Sequence, residues 1–187
     1  PAAIGNLVNL TSLKLQDNQL TGIPPEIGDL TSIKEINLLD NQLTGAIPAE
    51  LGNLTNLEQL QLQDNNLTGS IPTELGALSN LITLHLHKND LSGEIPAELG
   101  DLTNLVGLRL HFNDLSGAIP AELGNLTNLN NLDLSANQLS GEIPSELGSL
   151  ANLGYLKLHN NQLSGEIPAS LGNLMNIFAN NPSGWSF

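Results

Sequence analysis

Apolar residues recur along this chain with a period of 24. Counted from Leu54, they fall at positions 1, 4, 7, 9, 14, 18 and 22: Leu54, Leu57, Leu60, Leu62, Leu67, Ile71 and Leu75. The same pattern restarts at Leu30, Leu78, Leu102, Leu126 and Leu150, and a 23-residue version starts at Leu7. A period of this size means that each copy is one supersecondary unit, which buries its apolar set only when a neighbour stacks on it. Within a copy, Leu60-Gln61-Leu62 alternates with period two and predicts a short strand with leucines inward and polar residues outward. The Gly-x-Ile-Pro segment that follows cannot be a helix interior, and Gly at position 16 predicts a turn with an unusual dihedral. The Glu-Leu-Gly-x-Leu return predicts one turn of 3-10 or α-helix on the outer side. Residues 1–187 therefore read as a single domain of seven coils, with 174–187 a partial repeat or C-terminal cap in which Phe178 and Trp185 would cover the last leucine layer.

Asparagine recurs at position 12 as Asn18, Asn41, Asn65, Asn89, Asn113, Asn137 and Asn161. An amide offers two donors and an acceptor, so an inward file of them can satisfy backbone groups where each strand turns. That file is expected to be structural.

Composition sharpens this picture. Apolar residues make up 40% of the chain but aromatics only 3%, so the core must be built from leucine and isoleucine, which suits identical layers. There is no cysteine, which removes disulfide scaffolds, zinc-thiolate sites and thiol catalysis. A net charge of −14 argues against nucleic acid or an anionic membrane as partner, and no apolar run is long enough to span a bilayer. Pro1–Leu7 matches Pro48–Leu54, so the chain opens in mid-repeat and reads as a fragment or a processed product.

The string LxxLxLxxNxL is the leucine-rich repeat motif, and its continuation LxGxIPxxLGxL resembles the plant-type subclass of receptor-like kinase ectodomains and polygalacturonase inhibitors. The resemblance covers most of the chain. It implies an α/β solenoid: a right-handed curved coil with a parallel β-sheet on the concave face, a short second sheet at the LxGxIP segments and 3-10 or short helical turns on the convex side. It also implies a non-enzymatic binding module that recognises a protein, peptide or glycan, and it favours an extracellular or cell-surface setting. Two departures stand out: the cysteine-paired caps of secreted members are missing, and the first repeat reads Gly22-Ile23-Pro24 where the next reads Gly45-Ala46-Ile47-Pro48. That deletion is expected to perturb the second strand of the first repeat.

The copies differ unevenly. The outer column barely changes, with Glu50, Glu74, Glu98, Glu122 and Glu146, and Glu26 in the shortened repeat, whereas positions 6, 8, 10, 11 and 13 change far more often. All five cations (Lys14, Lys34, Lys88, Arg109, Lys157) and all four histidines lie between positions 5 and 11, and eight of the 19 acids share positions 5 to 13 with them. The other acids form a solvated outer coat, and the inner face is nearly balanced, as a recognition surface would be. Adjacent strands lie about 4.8 Å apart, so equal positions in successive repeats are neighbours. His85 is then beside Arg109, His87 beside His111 and Lys88 beside Phe112, with Asp133 next, and Tyr155, Lys157 and His159 form a second group. Exposed aromatic and arginine residues are frequent binding hot spots, so these ten residues are the predicted ligand-binding set.

Other chemistries fit less well. His85, His87, His111 and Asp133 could approach a metal, but Arg109 and Lys88 beside them would repel a cation, and no metal or other cofactor is predicted. No nucleophile–base pair or phosphate loop is distinctive, so catalytic residues are not assigned. Asn9, Asn53, Asn66 and Asn125 begin Asn-x-Thr sequons and could carry glycans in a secretory pathway. The hydroxyl file at position 15 (Thr21, Thr44, Thr68, Ser92, Ser116, Ser140, Ser164) resembles the arrays of ice-binding solenoids, which leaves ice binding as an alternative. A structural spacer within a larger receptor is another.

Overall fold

A computed structural model describes residues 2–174 and the strand Trp185–Ser186. Each copy of the pattern forms one coil. Three-residue strands at positions 6 to 8 (Ser12–Lys14, Glu35–Asn37, Gln59–Gln61, Thr83–His85, Gly107–Arg109, Asn131–Asp133, Tyr155–Lys157) pair in parallel, in sequence order and in register. Trp185–Ser186 adds an eighth strand beside Leu156 and Lys157. This is the concave sheet. The expected covering of the last layer by the side chains of Phe178 and Trp185 lies outside the described residues.

The LxGxIP segments form a second parallel sheet of six strands, from Thr44–Ala46 to Gln162–Ser164. Its position-16 glycines, Gly45 to Gly165, have φ of 76–80°, the conformation anticipated from their column. Gly22 is not among them, and the shortened first repeat adds no strand to this sheet, as its missing residue implied. Proline at position 19 (Pro24, one place earlier, in the shortened first repeat) then sets the extended entry to a five-residue 3-10 turn, such as Ala97–Asp101 after Pro96 at φ −62°. Successive 3-10 turns stack on the convex side. At Gly100 an added Cβ would lie 2.5 Å from the backbone oxygen of Glu122 and 2.7 Å from its Cβ, and the same crowding explains the matching glycines from Gly28 to Gly148.

The core is one continuous file of leucine and isoleucine, including Leu60, Leu84, Leu108 and Leu132, all fully buried. Polar closure comes from the position-12 asparagines. Asn65 Nδ2 donates to the carbonyls of Leu38 (3.0 Å), Leu62 (3.1 Å) and Gln63 (3.2 Å), and its Oδ1 accepts from the Leu43 N–H at 3.0 Å. Each amide thus ties its own coil to the one before it, and Asn41, Asn89, Asn113, Asn137 and Asn161 repeat the arrangement. The side-chain amide of Asn18, which has no complete coil before it, bonds only within its own turn. Among the described residues no helix is long and apolar enough to cross a membrane.

Candidate ligand-binding face

The side chains at positions 6, 8, 10 and 11 rise from the concave strands and the turn after them. Register puts His85 opposite Arg109, and Asn131 and Asp133 opposite Tyr155 and Lys157. His87 and His111 stack face to face, with centroids 4.2 Å apart and planes 14° from parallel. His85 meets His87 edge-on at 5.7 Å, and His111 meets Phe112 edge-on at 5.6 Å. The fourth and fifth repeats therefore carry a continuous aromatic patch with Arg109 at its side.

These imidazoles are poorly placed to hold a proton. Nδ1 of His87 is buried and makes no protein hydrogen bond, so a charged ring would bury an unmet N–H. Burial, then the Arg109 guanidinium and the His111 ring, lowers the pKa of His85 to about 4. Burial and the facing His111 lower that of His87 to about 3. His111 is also lowered, chiefly by burial, although Asp133 opposes the shift. At neutral pH the stack is uncharged, and its rings present flat faces rather than cations.

Asp133 behaves differently from its column. Strand alternation places position 8 outward, yet Asp133 is only 4% exposed. Ser135 donates to its Oδ1 through both Oγ (2.6 Å) and N–H (3.2 Å), and Lys157 Nζ lies 3.3 Å from Oδ2. His111 Nδ1 is 3.4 Å from Oδ2 without the alignment of a hydrogen bond. Burial by itself would raise the Asp133 pKa, but the Ser135 bonds and the nearby His111 and Lys157 outweigh it and lower the pKa. Asp133 is thus a buried carboxylate that steadies Lys157 and the edge of the histidine stack, and it offers little surface of its own. Lys88 reaches back to Asp64 Oδ1 at 2.8 Å, which holds its pKa above the ordinary lysine value.

A further feature escaped the sequence reading. Position 11 has a left-handed backbone in every copy: Asp17, Asp40, Asp64, Lys88, Phe112, Ala136 and Asn160 have φ of 52–59°. Asp and Asn suit that region and bulky residues do not. Four acid or amide side chains in the column were the available signal. Phe112 sits there at φ 54° and is 57% exposed, so an unfavourable backbone holds an aromatic ring in solvent.

Of the predicted set, His85, His87, Arg109, His111 and Phe112 form the patch, and Lys157 joins it through Asp133. Tyr155 is exposed on the same sheet, and His159 stands in the column of the stacked rings two coils after His111, with Ser135 between them. Among the described residues no three His, Asp or Glu groups converge as a metal site would need. The sequon residues Asn9, Asn53, Asn66 and Asn125 are exposed.

The sequence matches the leucine-rich repeat region family over residues 49–179, and a second leucine-rich repeat family over 8–67. No curated protein sequence matches the chain significantly. Among solved structures it is similar to the Arabidopsis receptor kinase HAESA ectodomain in complex with an extended IDA peptide hormone ligand, at 40% identity and a TM-score of 0.88, covering 94% of this chain and 30% of that one. It is similar to a Leptospira interrogans leucine-rich repeat protein at 38% identity and a TM-score of 0.78, covering 94% of this chain and 43% of that one. A plant ice-binding protein is 31% identical with a TM-score of 0.55, covering 90% of this chain and 70% of that one. The chain spans less than half the length of the first two.

Proposed function

This chain belongs to the leucine-rich repeat family, in its plant-type subclass, and we propose that it is a non-enzymatic module whose concave sheet binds a peptide or an exposed protein segment. The fourth and fifth repeats form the centre of that interface. Phe112 carries the reading: a scaffold role has no use for a phenyl ring at a left-handed position in solvent, whereas a binding role does. Arg109 and the neutral His87–His111 stack supply a guanidinium and flat ring faces beside it. Lys157, fixed by Asp133, adds a positioned cation two repeats on. The peptide ligand in the HAESA structure lends the reading support by likeness.

Double substitution Arg109→Ala/Phe112→Ala is expected to abolish retention of the native partner in pull-down from source fractions, with the thermal transition unchanged. Partners captured equally well by the double variant would overturn this placement. Ice binding is the second reading, favoured by the likeness to a plant ice-binding protein. Against it, Ser116 and Ser140 in the hydroxyl file are only half-exposed, so the array is uneven. Thermal hysteresis that Thr68→Val removes would favour ice over peptide.

A further inference from the structure

A second file of asparagines runs along the edge of the concave sheet at position 3. Nδ2 of Asn80, Asn104, Asn128 and Asn152 donates to the carbonyl of Thr55, Ser79, Thr103 and Thr127 in the coil before, each at 2.8 Å. That bond fixes the amide plane and leaves the second N–H and Oδ1 for another partner. Beside the file, position 5 exposes Ile82 and Val106, which are 40% and 42% accessible. The two columns border an open groove of about 890 Å³, which Glu58 and Asn130 also line. Lys34 Nζ, 2.7 Å from Glu58 Oε1, offsets the single charge among the groove-lining residues. The groove is thus neutral, lined by five amides and two aliphatic side chains besides Glu58, and distinct from the histidine patch.

We propose that this groove binds a peptide segment in the polyproline II conformation. The argument is one of pitch. Such a segment rises about 3.1 Å per residue with three residues per turn, so equivalent carbonyls recur every about 9.3 Å. Two coils of the solenoid span about 9.6 Å, given a strand spacing of about 4.8 Å. Carbonyls three residues apart therefore meet Asn80 and Asn128, or Asn104 and Asn152, in step. An ordinary extended strand presents the same face every about 6.8 Å, and it falls out of step with both one coil and two. A polyproline II backbone makes no internal hydrogen bonds, so its carbonyls are free to accept the spare amide N–H groups. Ile82 and Val106 offer aliphatic surface to pyrrolidine rings. The absence of charge among the lining residues, once Glu58 is paired, suits recognition of backbone and ring rather than an ionic side chain. The proposal stands independently of the concave-face reading.

Acetylated and amidated octaproline is the probe, titrated into the full chain while the backbone amide and asparagine side-chain amide resonances are followed by NMR. Shifts are expected at Asn80, Asn104, Asn128 and Asn152 and not at Arg109 or Phe112. Val106→Asp, which alters an exposed side chain, should weaken binding at least tenfold with an unchanged thermal transition. Arg109→Ala/Phe112→Ala should leave octaproline binding intact, so the two sites fail separately. Absence of these shifts at millimolar octaproline overturns the proposal, as does binding indifferent to Val106→Asp. A proline-free peptide of equal length that binds as well would remove the pitch argument. A linear oligosaccharide shifting these amides where octaproline does not would assign the groove to glycan instead.

Discussion

The third and fifth repeats share a scaffold and differ in what they show to solvent. Leu60 and Leu108 are equally buried, Asn65 and Asn113 are equally enclosed, and the 3-10 turns after them stack through glycine in the same way. At position 11, however, the same left-handed backbone carries Asp64 in one and Phe112 in the other, at φ 57° and 54°. Asp64 meets its site's conformational preference and pairs with Lys88. Phe112 meets neither requirement and exposes its ring. The core and the amide file constrain every copy alike, so a purpose can be written only in the columns they leave free, and it shows best where a residue is worse for the fold than its counterpart.

The largest test is whether the shared part is truly shared. Asn113→Ala strands the Leu91 N–H and the Leu86 and Leu110 carbonyls, and unfolding by urea should show a loss of about 3 kcal/mol. Asn65→Ala should lose as much. If either loses under about 1 kcal/mol, water replaces the amide and the file is not the scaffold described above.

A smaller effect separates the two turns. Phe112→Asn should stabilise the chain by about 0.5–1 kcal/mol by relieving the left-handed position, and Asp64→Phe should destabilise it by a similar amount. Phe112→Asn should also lose the native partner. A destabilised Phe112→Asn would mean that the ring serves the fold.

The smallest concerns pH. His85 and His87 stay neutral in the fold down to about 4 and about 3, but in the unfolded chain they charge below about 6.5. Between those values the unfolded state binds more protons, so stability should fall as pH is lowered from about 6.5 towards 4. Asp133, lowered in the fold, contributes stability above the usual carboxylate range that is lost as pH falls through its folded value. His87→Gln, which copies Gln63 of the third repeat, should flatten the thermal-melt slope across that window. An unchanged slope would place the titration elsewhere.

Much of the fold was legible because it repeats. The spacing of leucines located the strands, position 12 the amide file, position 16 the positive-φ glycines, and the missing residue after Gly22 the gap in the second sheet. Columns of the candidate site were legible too, since register alone brings His85 to Arg109 and His87 to His111. Three things were not. Asp133 alternates outward on its strand but is closed over by Ser135, His111 and Lys157, two of them from other coils. The left-handed turn at position 11 was masked by Lys88, Phe112 and Ala136, which hide an otherwise Asp- and Asn-rich column. The position-3 asparagines were not singled out by the pattern, and only stacking showed that each reaches the carbonyl of the preceding coil.

Sequence by itself determined the period, and the period determined the coil, because an apolar set that one copy cannot bury forces the next copy onto it. Tertiary structure alone decided which polar side chains face solvent and which are spent on neighbours. A residue's column says which face it starts from, but burial and protonation depend on the side chains one coil before and one coil after. That is why Phe112 and Asp133, a few ångströms from the same histidine ring, end as an exposed ring and a buried support.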